Sequence, residues 1–375
     1  MRDKAFYFEN LDGMRAIAAL AVIFAHMTYW FSYPNTNFFC AYKYVLSFGG
    51  TGGRLGVIFF FILSGFLITF LLYREQEKNI NINVFLFYIR RILRIWPLYF
   101  IILIIGFIIH PLIHKYSGSN TGENANFLLY TFFLANFDNI YNGNPTSNIL
   151  GVQWSVSVEE QFYLLWPLIF FLFNRRNYFP LILIAFIGLS EIFSIVTLNR
   201  LNFSDYHLLS CLKYLSLGAL LAYYCFHKIE KVILCLGKIK KWIVILIYII
   251  SITILSLQQI IKEYFDIYIY INQLLPMLFF SFVIAEQNYS NNSFFKIGKL
   301  PFLTWLGKIS YGLYLTHMIA LNIIISIFTN GEDFVLLKNL FTILLTIFIS
   351  YLSYFTIERY FLSLKNKFSY ERDSN

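Results

Sequence analysis

The chain is poor in charged residues and in cysteine. Only 13% of its 375 residues are charged, whereas soluble domains carry about 25%, so a soluble surface is excluded for most of it. The cysteines Cys40, Cys211, Cys225 and Cys235 show neither the spacing of a metal site nor that of a disulfide framework. We interpret them as packing residues.

Long apolar runs dominate instead. Hydrophobic residues make up 58% of the chain, and stretches such as GVIFFFILSGFLITFLLY approach the roughly 20 apolar residues that cross a bilayer. The pattern predicts an all-α, polytopic membrane helix bundle of about ten spans. The predicted spans are residues 11–33, 53–73, 95–113, 155–174, 179–198, 208–226, 241–258, 267–286, 309–329 and 336–358.

The basic residues predict the topology. With both termini in the cytoplasm, the inner segments hold 22 of the 29 lysines and arginines and the outer segments hold six, as the positive-inside rule requires. The apolar stretch 126–137 is too short to span and is interpreted as an interfacial or re-entrant turn in a long outer loop, residues 114–153. We expect one membrane domain over residues 1–375, with its core at about 8–360 and no appended soluble domain.

The net charge of +9 does not indicate a nucleic-acid partner. The basic residues lie in short loops between apolar runs and not in a single stripe interleaved with aromatic residues. Their expected partner is the lipid bilayer.

The first predicted span contains two residues that hydrocarbon disfavours. Arg15 lies near its start and His26 follows eleven residues later, about 16 Å further along a helix. Ionisable side chains inside a membrane are costly and normally face a cavity or a partner. A neutral imidazole at this depth is a candidate general base; the alternative is a histidine that only packs.

Arginines form a second candidate in FYIRRILRIWPLY, residues 87–99. Arg91 and Arg94 are three apart and share a helix face, and guanidinium groups match the oxygens of phosphates. They either bind a phosphorylated ligand or anchor the chain to anionic lipid head groups.

Two carboxylates form a third candidate at the outer start of the fourth predicted span. Glu159 and Glu160 either favour the positive end of the helix dipole or form the rim of a polar pocket. Glu159 is four residues from Tyr163, so those two share a face, whereas Glu160 points elsewhere.

The stretch GKISYGLYLTHMI, residues 307–319, supplies a fourth candidate. Tyr311 and Tyr314 are explained by helix packing or interfacial anchoring. His317 lies about 12 Å into the predicted span and is a further candidate for a functional role.

Taken together, these stretches resemble the acyltransferase-3 family of integral membrane acyltransferases. The Arg-x10-His pattern of that family matches Arg15 and His26, and its Arg-x-x-Arg pattern matches Arg91 and Arg94. Further similar stretches follow in the expected order: FFFILSGFLIT with Ser64, WSVSVEEQFYLLWP with Glu159, and ISYGLYLTH. The resemblance covers about residues 8–360 and fits a stand-alone member.

The resemblance implies an acyl-CoA-dependent O-acyltransferase, usually an O-acetyltransferase, of the bacterial cytoplasmic (inner) membrane. The acetyl donor would be cytoplasmic acetyl-CoA, and the acceptor a hydroxyl of a surface polysaccharide such as lipopolysaccharide, or of a glycolipid. Arg91 and Arg94 would hold the donor phosphates, with Arg15 assisting. His26 would be the general base or a transient acyl carrier, Glu159 would orient the imidazole or the sugar, and no metal is expected.

Two other classes of protein remain as alternatives. In a transporter or flippase of lipid-linked sugars, Arg15, His26 and Glu159 would line a polar path. The lack of an evident inverted repeat disfavours this interpretation. The second alternative is a membrane scaffold that has lost its activity. It is disfavoured because such a protein would not need the complete set of polar residues Arg15, His26, Arg91, Arg94 and Glu159.

Overall fold

The computed structural model describes residues 7–31, 37–79, 82–116, 122–174, 178–258, 261, 268–328 and 334–368. These residues form helices and connecting turns and contain no strand, which confirms the all-α prediction. The helices in chain order are α1 (Glu9–Trp30), α2 (Asn37–Asn79), α3 (Val84–Ile104), α4 (His110–Tyr116), α5 (Phe127–Thr131), α6 (Ala135–Asn142), α7 (Gln153–Phe173), α8 (Phe179–Val196), α9 (Leu201–Tyr206), α10 (Leu208–His227), α11 (Ile229–Lys238), α12 (Lys241–Ser256), α13 (Tyr268–Tyr289), α14 (Pro301–Lys308), α15 (Ser310–Ile327), α16 (Val335–Ser353) and α17 (Arg359–Asn366).

The polytopic prediction is confirmed. In the described part of the chain, eight helices are long and apolar enough to cross a membrane, or nine if α11 and α12, which meet at 89°, form one broken span. The eighth predicted span coincides with α13, a helix of 22 residues. The stretch 126–137 contributes only the short helix α5 and the beginning of α6.

Two details of the sequence interpretation are wrong. The third span was predicted to start at residue 95, but α3 already begins at Val84, where the side chain of Asn83 accepts a hydrogen bond from the backbone of Leu86. The arginines at 90, 91 and 94 therefore lie within the helix and not before it. Cys235 is exposed and is not a packing residue, whereas Cys211 and Cys225 are buried.

The chain divides into two compact units, and the division falls inside α2, α10 and α16. The first unit comprises Met1–Leu63 and Leu221–Ser350. Within it, α1 packs on α14 and α15 through small side chains, since Ala16 and Ala19 are fully buried. This packing fixes the orientation of α1 against α15.

The second unit comprises Ser64–Leu220 and Tyr351–Asn375. Its core contains large aromatic side chains such as Trp166, which is fully buried and donates a hydrogen bond to the hydroxyl of Thr69 over 2.9 Å. Lys213 lies inside a span and is buried, but its ammonium is 3.1 Å from the carboxylate of Glu191. A buried charge is tolerated there because it is paired.

Gly65 permits a close approach of two helices in the second unit. A Cβ at this position would overlap the backbone carbonyl of Leu215 on α10. We expect Gly65→Ala to lower the free energy of unfolding by about 1–3 kcal/mol, because a backbone cannot yield as a flexible side chain does. The measurement is thermal unfolding of the purified protein in detergent.

Gly188 on α8 is the matched control for this substitution. A Cβ there would meet no atom within 4 Å. Gly188→Ala should be neutral or stabilise the helix by up to about 1 kcal/mol. Equal melting temperatures for the two variants would contradict the close contact between α2 and α10.

Candidate functional site

The first unit contains a pair of histidines on α1 and α15. The Nδ1 atom of His26 lies 2.9 Å from Nε2 of His317, and the two rings stack with their centroids 5.0 Å apart. His317 is 1% exposed, whereas His26 is partly exposed. Both histidines were predicted as candidates, but their contact was not.

The hydrogen bonds of this pair define which nitrogen of His26 keeps a lone pair. Nδ1 of His317 is 2.7 Å from the carbonyl oxygen of Tyr314, and a carbonyl only accepts, so this nitrogen carries the proton. The Nε2 of a neutral His317 must then accept from Nδ1–H of His26. This leaves Nε2 of His26 as the atom that can take a proton or attack an electrophile.

The tyrosines of the same stretch have different surroundings. Tyr314 is buried, and its ring packs edge to face against Phe60 at 5.8 Å. Its backbone carbonyl, and not its phenol, orients His317. Tyr311 is partly exposed. Helix packing accounts for the ring of Tyr314, as the sequence interpretation allowed.

Arg15 has a carboxylate partner at the start of α1. Its guanidinium lies 2.9 Å from Asp12, and the Arg15 side chain is 23% exposed. The other carboxylate oxygen of Asp12 accepts a hydrogen bond from the hydroxyl of Tyr7. Arg15 was predicted to assist binding of the acyl donor. Its guanidinium would do so while it is also paired with Asp12.

A second polar cluster lies in the second unit, where α2 meets α7. The hydroxyl of Ser64 donates to Glu159 over 2.8 Å, and the hydroxyl of Tyr163 lies 3.0 Å from Ser64 and 3.3 Å from Glu159. The prediction that Glu159 and Tyr163 share a helix face is confirmed. The structure thus brings three polar side chains together at one point.

The neighbouring arginines of α3 have unequal partners. Arg90 is buried and forms an ion pair with Glu75 at 2.5 Å. Arg91 instead lies over the rings of Phe87 and Tyr163, at 5.5 and 5.8 Å from their centroids. Its Nε atom is buried and finds no hydrogen-bond partner among the described residues. Arg90 stabilises the fold through its ion pair with Glu75. The Nε–H of Arg91, in contrast, can still donate a hydrogen bond.

Two further site candidates face different neighbours. Arg94 lies within electrostatic range of Glu358. Glu160 accepts a hydrogen bond from the indole of Trp96 over 3.1 Å, which confirms that it points away from the face of Glu159. In the described ranges, no three His, Cys, Asp or Glu side chains are placed to hold a metal ion.

An apolar cavity of about 290 Å³ lies in the first unit, against α1. Its walls come from α1, α2, α12, α13 and the segment that follows α13. They include Met14, Ala18, Ala21 and Phe59. Met14 immediately precedes Arg15, so this space for an apolar group lies beside the helix that carries the Arg15 and His26 pattern.

A polytopic helix bundle with a paired imidazole in one unit and a carboxylate, hydroxyl and guanidinium cluster in the other has the groups of a membrane-embedded transfer enzyme. A family model described as "Acyltransferase domain" matches residues 8–355. The chain therefore belongs to this acyltransferase family, as the motifs predicted. No solved structure is significantly similar to it.

Named relatives agree with the family. The chain is 31% identical over 179 residues to the peptidoglycan O-acetyltransferase OatA of Listeria monocytogenes, a match that covers 45% of this chain and 25% of the relative. It is 27% identical over 376 aligned positions to a Staphylococcus aureus protein provisionally named an O-acetyltransferase, covering 95% of this chain and 57% of the relative. The matched regions are thus only part of these longer proteins.

Proposed function

We propose that the protein is an O-acetyltransferase of the bacterial cytoplasmic membrane. It takes acetyl from cytoplasmic acetyl-CoA and esterifies a hydroxyl of a cell-surface glycan or glycolipid. The family match and the names of the relatives support the reaction class. The single observation that carries the chemistry is the His26–His317 pair, which leaves Nε2 of a partly exposed imidazole unprotonated.

Two routes are compatible with this imidazole. In direct transfer, Nε2 of His26 takes the proton of the acceptor hydroxyl while its oxygen attacks the thioester carbonyl, the C–S bond breaks, and the thiolate of CoA takes up the proton. In the covalent route, Nε2 attacks the thioester carbonyl first, the C–S bond breaks, and CoA leaves as its thiolate from an acyl-imidazolium. The acceptor oxygen then attacks the acyl carbon, the C–N bond breaks, and the hydroxyl proton passes to the CoA thiolate. In both routes His317 accepts a hydrogen bond from the cationic or acylated ring.

The remaining candidates are assigned by their charge and partners. Arg91 and Arg94 bind the phosphates of the donor, because guanidinium groups form charge-assisted hydrogen bonds with phosphate oxygens and Arg91 has an unpaired Nε. Arg15 assists the donor from α1. Glu159, with Ser64 and Tyr163 beside it, hydrogen-bonds an acceptor hydroxyl.

The test of this function is donor saturation of the purified protein. With acetyl-CoA and envelope glycan of the source bacterium, the wild type should release CoA thiol and form alkali-labile acetyl esters. Arg91→Ala with Arg94→Ala should raise the KM for acetyl-CoA at least about 100-fold, because each of the two lost charge-assisted contacts weakens binding by about 1.5–3 kcal/mol. The measurement is the initial rate of thiol release against acetyl-CoA concentration.

A control variant separates donor binding from lipid anchoring. Arg359→Ala with Lys365→Ala removes two positive charges from α17 of the same unit, and its KM for acetyl-CoA should stay within twofold of the wild type. Equal saturation curves for both double variants would mean that Arg91 and Arg94 anchor the chain to lipid head groups and do not bind the donor. A transporter would consume no acetyl-CoA at all.

A further inference from the structure

One face of α7 carries buried polar side chains with unused hydrogen-bonding atoms. Gln153 and Glu160 are seven residues apart, so they share a face over about 10 Å of helix, with Ser157 between them. Gln153 and Ser157 are 0% exposed, and the hydroxyl of Ser157 is in hydrogen-bonding contact with that of Tyr99. In the part of the chain that the structure describes, both amide atoms of Gln153 and one carboxylate oxygen of Glu160 lack a hydrogen-bond partner.

Burial alone does not explain these unpaired atoms. Gln161, on another face of the same helix, donates to the carbonyl of Phe133 over 2.8 Å and to Asn136 over 2.7 Å. Nearly all buried polar groups in proteins are paired, and an unpaired one costs about 1–3 kcal/mol. Among the residues that the structure describes, the face of Gln153 and Glu160 therefore keeps hydrogen-bonding atoms that a ligand can use.

The chemistry of the unpaired atoms identifies the kind of partner. The Gln153 amide both donates and accepts, and the unpaired oxygen of Glu160 accepts. A phosphate offers only acceptors and would be repelled by Glu160, and an apolar chain would satisfy none of these atoms. Hydroxyl groups, which both donate and accept, match the whole set.

An aromatic pair lies next to Gln153. The rings of Trp154 and Tyr206 are 4.8 Å apart, and both side chains are partly exposed. Aromatic faces bind the apolar C–H surface of a ligand while its polar groups reach hydrogen-bond partners nearby. This combination favours a sugar over water alone.

We infer that the face of α7 defined by Gln153, Ser157 and Glu160 binds the hydroxyl groups of the carbohydrate acceptor. The inference rests on the proposed function and extends it by naming a second face of α7, next to that of Glu159, that holds the acceptor. Gln153 lies at the end of α7 that the charge pattern predicts to face outwards, where a surface glycan arrives.

The test is acceptor saturation in detergent solution with the full chain, saturating acetyl-CoA and solubilised envelope glycan of the source bacterium. Gln153→Leu should raise the KM for glycan at least tenfold while the KM for acetyl-CoA stays within twofold. The variant should fold, because an apolar group of similar shape is tolerated where an amide is unpaired. Ser157→Ala, a smaller change, should raise the same KM about threefold.

Gln258 is the matched control. It is also a buried glutamine, 1% exposed, with both amide atoms unpaired, but it belongs to the first unit. Gln258→Leu should leave the KM for glycan unchanged. An unaltered glycan KM in Gln153→Leu and Ser157→Ala, with an active wild type, would overturn the acceptor site and leave the proposed function standing. A wild type that transfers no acetyl to the glycan would overturn both.

Discussion

Replacement of His26 by alanine is expected to reduce acetyl transfer by about 100- to 10,000-fold, the range that a positioned general base contributes. If the ring carries the acyl group, the loss should be complete. The loss follows because Nε2 of His26 is the nitrogen that the hydrogen bonds of the pair leave unprotonated. The measurement is the rate of acetyl ester formation on envelope glycan at saturating acetyl-CoA.

The fold should survive this substitution. His26 is only partly buried, and the main cost of His26→Ala is the unpaired Nε2 that it leaves on buried His317, about 1–3 kcal/mol. His114→Ala is a suitable control, because it removes an imidazole from another histidine pair, with His110 at 3.2 Å, in the second unit. Near-normal transfer by a well-folded His26→Ala protein would remove the central residue from the mechanism.

Replacement of His317 by leucine is expected to lower kcat by about 100-fold or more, with little change in the KM for acetyl-CoA. His317 is a positioning residue: its Nε2 accepts from Nδ1–H of His26 and so holds the ring in one tautomer. In serine proteases, loss of the group that fixes the histidine tautomer costs about 10⁴-fold in kcat. The measurement is kcat from full saturation curves for both substrates.

The conservative variant His317→Gln separates positioning from packing. A glutamine carbonyl oxygen, like Nε2 of His317, accepts a hydrogen bond and would preserve the tautomer of His26. We expect His317→Gln to retain at least tenfold more activity than His317→Leu. Equal kcat values for the two, at equal thermal stability, would mean that His317 only fills space.

The apolar runs were sufficient to predict the helices, but not where each one begins. The thickness of the hydrocarbon layer requires about 20 apolar residues per span, so each predicted span has a helical counterpart. The start of α3 was misplaced because hydropathy excludes arginines, whereas the folded chain buries Arg90 against Glu75. Such a pairing, between residues fifteen positions apart in the chain, leaves no mark in a hydropathy pattern.

The candidate site was predictable residue by residue, but not as an arrangement. His26 and His317 each stood out because ionisable groups are rare inside membranes, and Glu159 with Tyr163 because i and i+4 share a face. The contact between residues 291 positions apart was not predictable. The sequence also did not show that Arg90 forms an ion pair whereas the adjacent Arg91 lies over aromatic rings.

The sequence by itself determined the class of molecule, its membrane helices, its family and the candidate residues for the chemistry, because bilayer thickness and helical period act on local stretches of chain. Only the tertiary structure decided which nitrogen of His26 keeps its lone pair, which arginine has an unpaired Nε, and which face of α7 holds buried polar atoms that no described residue pairs. These properties depend on the partner that each polar atom finds across the fold. A hydrogen bond is local in space and has no fixed separation along the chain.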